Sequence, residues 1–138
     1  MKSPRYTAIL IAALALVAGA AEARGKPAKA PAAPAGDVAK GKVLFNQQCG
    51  LCHSTTPGLE GAAPSLHDVY GRAAASEAKF SYSRALKASG LVWTAANLQT
   101  FLANPGKMVP GTAMPINIPA AADRQNIVAY LASLKTTH

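Results

Sequence analysis

Residues 49–53 read Cys-Gly-Leu-Cys-His, and they hold both cysteines of a 138-residue chain. No other feature narrows the possible folds so far. Two cysteines make one bridge at most, so a small scaffold held together by several disulfides is excluded. A bridge between these two would leave the adjoining histidine unexplained. A structural zinc site needs four ligands, yet only His67 and His138 remain beside this group, and no second Cys-x-x-Cys exists. A thioredoxin-type pair needs a strand running into a helix of a βαβ unit, and no such context surrounds residue 49.

The remaining pattern is helical with long interruptions. Asp37 caps a helix over 38–48, with Val38, Leu44, Phe45 and the stem of Lys42 on its inner stripe. Gly41 inside that helix costs about 1 kcal/mol against Ala, so it needs a packing reason. Residues 54–81 carry Pro, Gly and polar side chains with no period and read as irregular. A short helix follows over 82–89, stopped by Gly90. Thr94 caps another reaching about Ala103, with Leu98, Phe101 and Leu102 facing inward, and Asn104-Pro105 ends it. Three prolines, Pro110, Pro115 and Pro119, keep 108–119 out of regular structure. Pro119 opens a last helix to about Lys135, with Ile127, Val128, Tyr130, Leu131 and Leu134 on its apolar side. No alternating run long enough for a strand is present. The fold class is all-α, three to five helices with long loops.

Such a chain has too little to bury. Only 6% of it is aromatic, and long irregular stretches in a small domain leave little core. A large apolar group held covalently removes that difficulty, and Cys-x-x-Cys-His is the signature of c-type haem attachment. Cys49 and Cys52, one turn apart, each add to a vinyl group of the porphyrin, and His53 is aimed at the iron. The cofactor expected is one covalently bound haem c, with its iron.

The front of the chain reads as an address and a tether. Lys2 and Arg5 precede an apolar run of 13 residues, Ala8 to Ala20, followed by the small-x-small sites Ala18-Gly19-Ala20 and Ala21-Glu22-Ala23. The run is shorter than the ~20 residues that span a bilayer. Residues 1–23 are therefore expected to be a cleavable secretory signal peptide, cut after Ala20 or Ala23, without a twin arginine. Residues 24–36, rich in Pro, Ala and Lys, form a linker outside the fold. The domain is then 37–138, with nine cations against five anions. That mild surplus, with no basic run interleaved with aromatics, gives no support for nucleic-acid binding. It fits weak steering toward an acidic partner.

For the sixth iron position the sequence offers Met108, Met114, His67 and His138. Met114 lies in the stiff, turn-rich segment Pro110-Gly111-Thr112-Ala113-Met114-Pro115, which suits a side chain presented inward. Met108 suits ordinary gap-filling, His67 a surface or propionate-side position, and His138 a frayed end.

From Gly36 to about Lys135 the chain resembles a class I cytochrome c of the mitochondrial and bacterial c2-like kind. The resemblance is carried in order by GDVAKGKVLF, CGLCH, APSLHDVYGR, FSYS, LVWTAANLQTFLANP, VPGTAM and IVAYLASLK. It implies the small cytochrome c fold wrapped around one haem, with Met114 as the second axial ligand. It further implies that the Pro64 carbonyl takes the other ring N–H of His53, and that Thr112 and Phe101 flank Met114. Arg72, Tyr82 and Trp93 match groups that hydrogen-bond a buried propionate. Gly41, Phe45 and Tyr130 match the crossing of the first and last helices. The lysine ring of mitochondrial members is only partly kept, since Gln48 and Ala113 stand at two of its positions.

Histidine with a soft thioether leaves no open iron position and suits one-electron transfer. The function expected is a soluble, monomeric, periplasmic electron carrier, not an enzyme. It would dock transiently with larger redox complexes at the membrane, as in a respiratory chain. The alternatives are a haem subunit or sensor whose methionine detaches to admit peroxide or a gas, and a carrier tethered to the membrane by its N-terminus.

Overall fold

The computed structural model of the chain describes residues 33–136. The expected signal peptide, residues 24–32 of the linker and His138 lie outside the described residues. Among the described residues five helices follow one another: α1 (Val38–Gln48), α2 (Arg84–Ala88), α3 (Ala95–Ala103), α4 (Pro105–Met108) and α5 (Ala121–Ser133). Among the described residues the only extended pairing is one antiparallel bridge between Ala73 and Val92.

Local chemistry sets most of the ends. The Asp37 carboxylate accepts from the Lys40 N–H, the Ser83 hydroxyl from Leu86 N–H and the Thr94 hydroxyl from Asn97 N–H, which start α1, α2 and α3. Gly90, at φ +62°, stands just past the Ser89 cap of α2. Asn104 closes α3, and its side chain accepts from Lys107 N–H while Pro105 takes the first helical position of α4.

α1 and α5 cross closely, and the crossing is possible because residue 41 has no side chain. A Cβ there would fall 1.9 Å from the main-chain oxygen of Asn126 and 2.9 Å from the Tyr130 Cβ. One turn further along, Phe45 packs its ring against Tyr130 with centroids 5.4 Å apart. Ile127, Val128, Ala129, Tyr130 and Leu131 are all buried, so α5 is enclosed through its middle by α1, by α3 and by the loop carrying Ile118. That loop is tied down by a bond from Ile118 N–H to Leu102 O at 2.7 Å.

Four expectations need correcting. Val38 is 44% exposed: it shares a face with the buried Gly41 and Phe45 but stands at the very start of α1. The dipeptide Asn104-Pro105 ends one helix but also begins another, α4, which the sequence reading lacks. α5 starts at Ala121, two residues after Pro119, with no side-chain cap, and ends at Ser133. The linker touches the fold at its last residue, because Gly36 lies against the Gln125 main chain and Asp37 N–H donates to Asn126 Oδ1 at 2.8 Å.

Gly41→Ala is expected to lower stability by about 3 kcal/mol or more, since the added methyl meets main chain rather than a movable side chain. Thermal unfolding of the haem-loaded protein measures it, and an unchanged midpoint would show that the helices slide apart without cost.

Candidate functional site

A cavity of about 400 Å³ opens beside the end of α1. The helix delivers the pentapeptide to it. Cys49 is the C-cap of α1, its N–H bonded to Phe45 O, and the Cys52 and His53 N–H groups both return to Cys49 O at 3.0 and 2.9 Å. One compact turn therefore carries both sulfurs and the imidazole, and all three line the cavity. Neither cysteine is in a disulfide; Cys49 is buried and Cys52 exposed. Burial pushes the Cys49 thiol up to about 11. A thiol held neutral in this way is a poor redox nucleophile.

His53 is fixed by its back side. Its Nδ1 donates to the Pro64 carbonyl at 2.7 Å, which leaves the lone pair on Nε2. Burial lowers the His53 pKa, with the Pro64 bond pulling the other way, so the ring is held neutral. The segment after α4 lines the same cavity. Gly111 at φ +89° turns the chain, and the Thr112 hydroxyl accepts the Met114 N–H at 3.3 Å. Thr112, Ala113, Met114, Pro115 and Ile116 all line the cavity. Met108 does not; it packs against the core. His67 is also outside the lining, with its ring beside the Asp68 carboxylate at 3.5 Å.

The remaining walls are apolar: Leu66, Val69, Phe80, Leu86, Trp93, Leu98 and Phe101, with the Trp93 and Phe101 rings 5.0 Å apart. The polar end belongs to Arg72 and Tyr82. Arg72 donates through Nη1 to His67 O at 3.1 Å and to Glu77 Oε1, and through Nη2 to Ser65 O at 3.0 Å. Its Nε is buried with no partner. Burial raises the Tyr82 pKa, offset by a bond to the Glu77 main chain and by the Arg72 charge.

These residues fit a haem. The neutral imidazole offers Nε2 to iron, the sulfurs lie on the same turn, and the walls are apolar. An orphaned buried N–H of Arg72 is what a carboxylate on the ring would satisfy. No group of three or more His, Cys, Asp or Glu among the described residues could hold a bare metal ion. Gly41, Phe45 and Tyr130 stand behind the site at the helix crossing, as spacers of α1 rather than as lining. Phe80, Leu86 and Ile116 line the cavity without having been singled out from the sequence, and Glu77 was missed altogether. Phe80 sits inside FSYS, so its motif was visible. The Arg72–Glu77 pair, five apart in irregular chain, left no periodic signal.

The cytochrome c family model matches residues 38–135. Cytochrome c of Euglena viridis is 43% identical over 101 residues, covering 72% of this chain and 99% of its own length. Cytochrome c2 of Rhodopila globiformis is 42% identical over 104 residues, with 75% of this chain and 98% of the relative covered. Among solved structures, cytochrome cH from Methylobacterium extorquens superposes with a TM-score of 0.66 at 38% identity, covering 71% of this chain and 99% of the other.

Arg72 joins three parts of one wall with a fork that an ammonium group cannot reproduce. Its side chain is 21% exposed. Arg72→Lys is expected to destabilise the folded domain by about 2 kcal/mol through unpaired acceptors at His67, Ser65 and Glu77. The denaturant midpoint should fall with the slope of the transition unchanged.

Proposed function

This chain belongs to the cytochrome c family, and from that premise we propose that it is a soluble, periplasmic carrier holding its haem iron between His53 and Met114. It is an electron-transfer protein with one covalent haem c, not an enzyme. The bound haem supplies a one-electron iron couple, raised in potential by histidine and thioether ligation. Every other part of the function falls to the chain itself.

The observation that carries the reading is the meeting of Cys49, Cys52, His53 and Met114 in one cavity, with Pro64 holding the imidazole in the tautomer that frees Nε2. Cys49 and Cys52 fasten the ring to the end of α1. Met114, braced by Thr112 and enclosed between two prolines, closes the opposite side. Phe101 and Trp93 exclude water there, and a dry, apolar surround disfavours added charge. Arg72 and Tyr82 receive the carboxylates at the polar end. With His53 and Met114 both holding a bound haem iron, no position would be left for a substrate, and little in the chain would have to rearrange on electron transfer.

Residues 1–23 would direct export and be removed, 24–36 would link, and 37–138 would form the carrier. No helix of the described residues is long and apolar enough to cross a membrane. The proposed carrier would dock transiently, as a monomer, to larger redox complexes at the membrane, and its mild positive surplus supports such docking. Such contacts are small and weaken with salt. The mature protein should begin at Ala21 or Arg24 by N-terminal sequencing; a retained Met1 would favour the tethered carrier.

Met114→Ala is expected to keep the haem attached, lower the reduction potential and admit carbon monoxide to the reduced iron. Met108→Ala should leave spectrum and potential as they were. Rapid carbon monoxide binding by the unaltered protein at neutral pH would favour the sensor reading instead. Loss of the sulfur ligand in the Met108 variant alone would overturn the assignment.

A further inference from the structure

Glu77 engages the arginine at the polar end of the cavity. Its carboxylate Oε1 lies 2.5 Å from Arg72 Nη1. The two side chains of the ion pair are 24% and 21% exposed, so solvent and salt screen them far less than a surface pair. The geometry of the guanidinium is then settled by protein acceptors: His67 O, Ser65 O and Glu77. Of the donors that remain, the Nε is buried and has no partner in the chain.

Charge matters here as much as geometry. A lone guanidinium beside the haem would favour the reduced form, because reduction adds a negative charge nearby. A carboxylate directly against that guanidinium cancels most of its field beyond the pair. We infer that Glu77 is a potential-setting and positioning residue of the haem site: it holds Arg72 with Nε free for a haem carboxylate, and it lowers the reduction potential by neutralising Arg72. This rests on the haem reading above. Glu77 lies outside the cavity lining, so it acts through Arg72 and not by touching the ring.

The test is an equilibrium redox titration of the purified, haem-loaded protein at pH 7 and low salt, beside Glu77→Gln and Glu77→Asp. Gln keeps an acceptor for Nη1 without the charge. It is expected to raise the midpoint, increasing the reduced-to-oxidised ratio at fixed ambient potential about tenfold, or ~59 mV for one electron. Asp keeps the charge and should stay near the parent. Thermal unfolding of both oxidation states gives a second readout, with the reduced form gaining on the oxidised one in the Gln variant alone. An unmoved or lowered midpoint in the Gln variant, or equal shifts in Gln and Asp, overturns the role of Glu77. A purely structural residue would lower both unfolding temperatures together and leave the midpoint in place. A colourless parent protein would overturn the haem reading and this inference with it, whereas a coloured parent with an unmoved variant removes only the inference.

Discussion

The bond from His53 Nδ1 to the Pro64 carbonyl does more than orient a ring. At 2.7 Å it ties the end of α1 to the long loop that forms another part of the cavity wall, and it decides which nitrogen carries the lone pair. A main-chain acceptor suits this task, since no side-chain substitution removes it and no rotamer moves it away. The acceptor is held because the loop is held: Ser65 Oγ donates to Thr56 O at 2.8 Å, Leu66 N–H to Ser54 O at 2.8 Å, and Arg72 to Ser65 O. The imidazole is therefore part of a small polar lattice rather than a lone group on a helix end.

That lattice would be useless if α1 could tilt. The α1–α5 crossing prevents it, with Gly41 against the Asn126 main chain and Phe45 on Tyr130. Residues far from the cavity in sequence thus set the height of the Cys49–His53 turn. The Met114 side is braced differently, by short-range turn chemistry around Gly111 and Thr112 and by the Ile118 anchor to α3. One wall is rigid through helix packing, the other through prolines and tight turns. Both walls border the one cavity that the pentapeptide and Met114 share.

Much of this was legible in the residues. Side-chain caps mark the starts of α1 and α3, the pentapeptide marks one part of the cavity lining, and the PGTAM segment, whose turn chemistry suits an inward side chain, supplies Thr112, Ala113 and Met114 to the same lining. What stayed hidden has physical reasons. α4 is four residues long, and Asn104-Pro105 serves as stop and start at once. α5 begins on an uncapped alanine, so no polar residue announces it. Gly36 reads as linker because only the tertiary crossing brings it to Gln125. The Arg72–Glu77 pair joins two points of an aperiodic loop, where neither helix nor strand spacing predicts neighbours.

That last pair alters how the site's charge should be understood. Counting residues suggests a basic domain with one arginine waiting for the haem carboxylates. The structure pairs that arginine beforehand, while Gln48, Ala113 and Ile116 leave other parts of the cavity lining uncharged. The surplus cations, such as Lys40, Lys42 and Lys107, sit on exposed surface away from the lining. Long-range steering and local tuning are then separate: exposed surface lysines would act on an approaching partner and are screened by salt, whereas the largely enclosed Arg72–Glu77 pair would act on the electron and is screened far less. A carrier built this way can change its partners by surface substitution without disturbing its potential, because the two sets of charges share no residue.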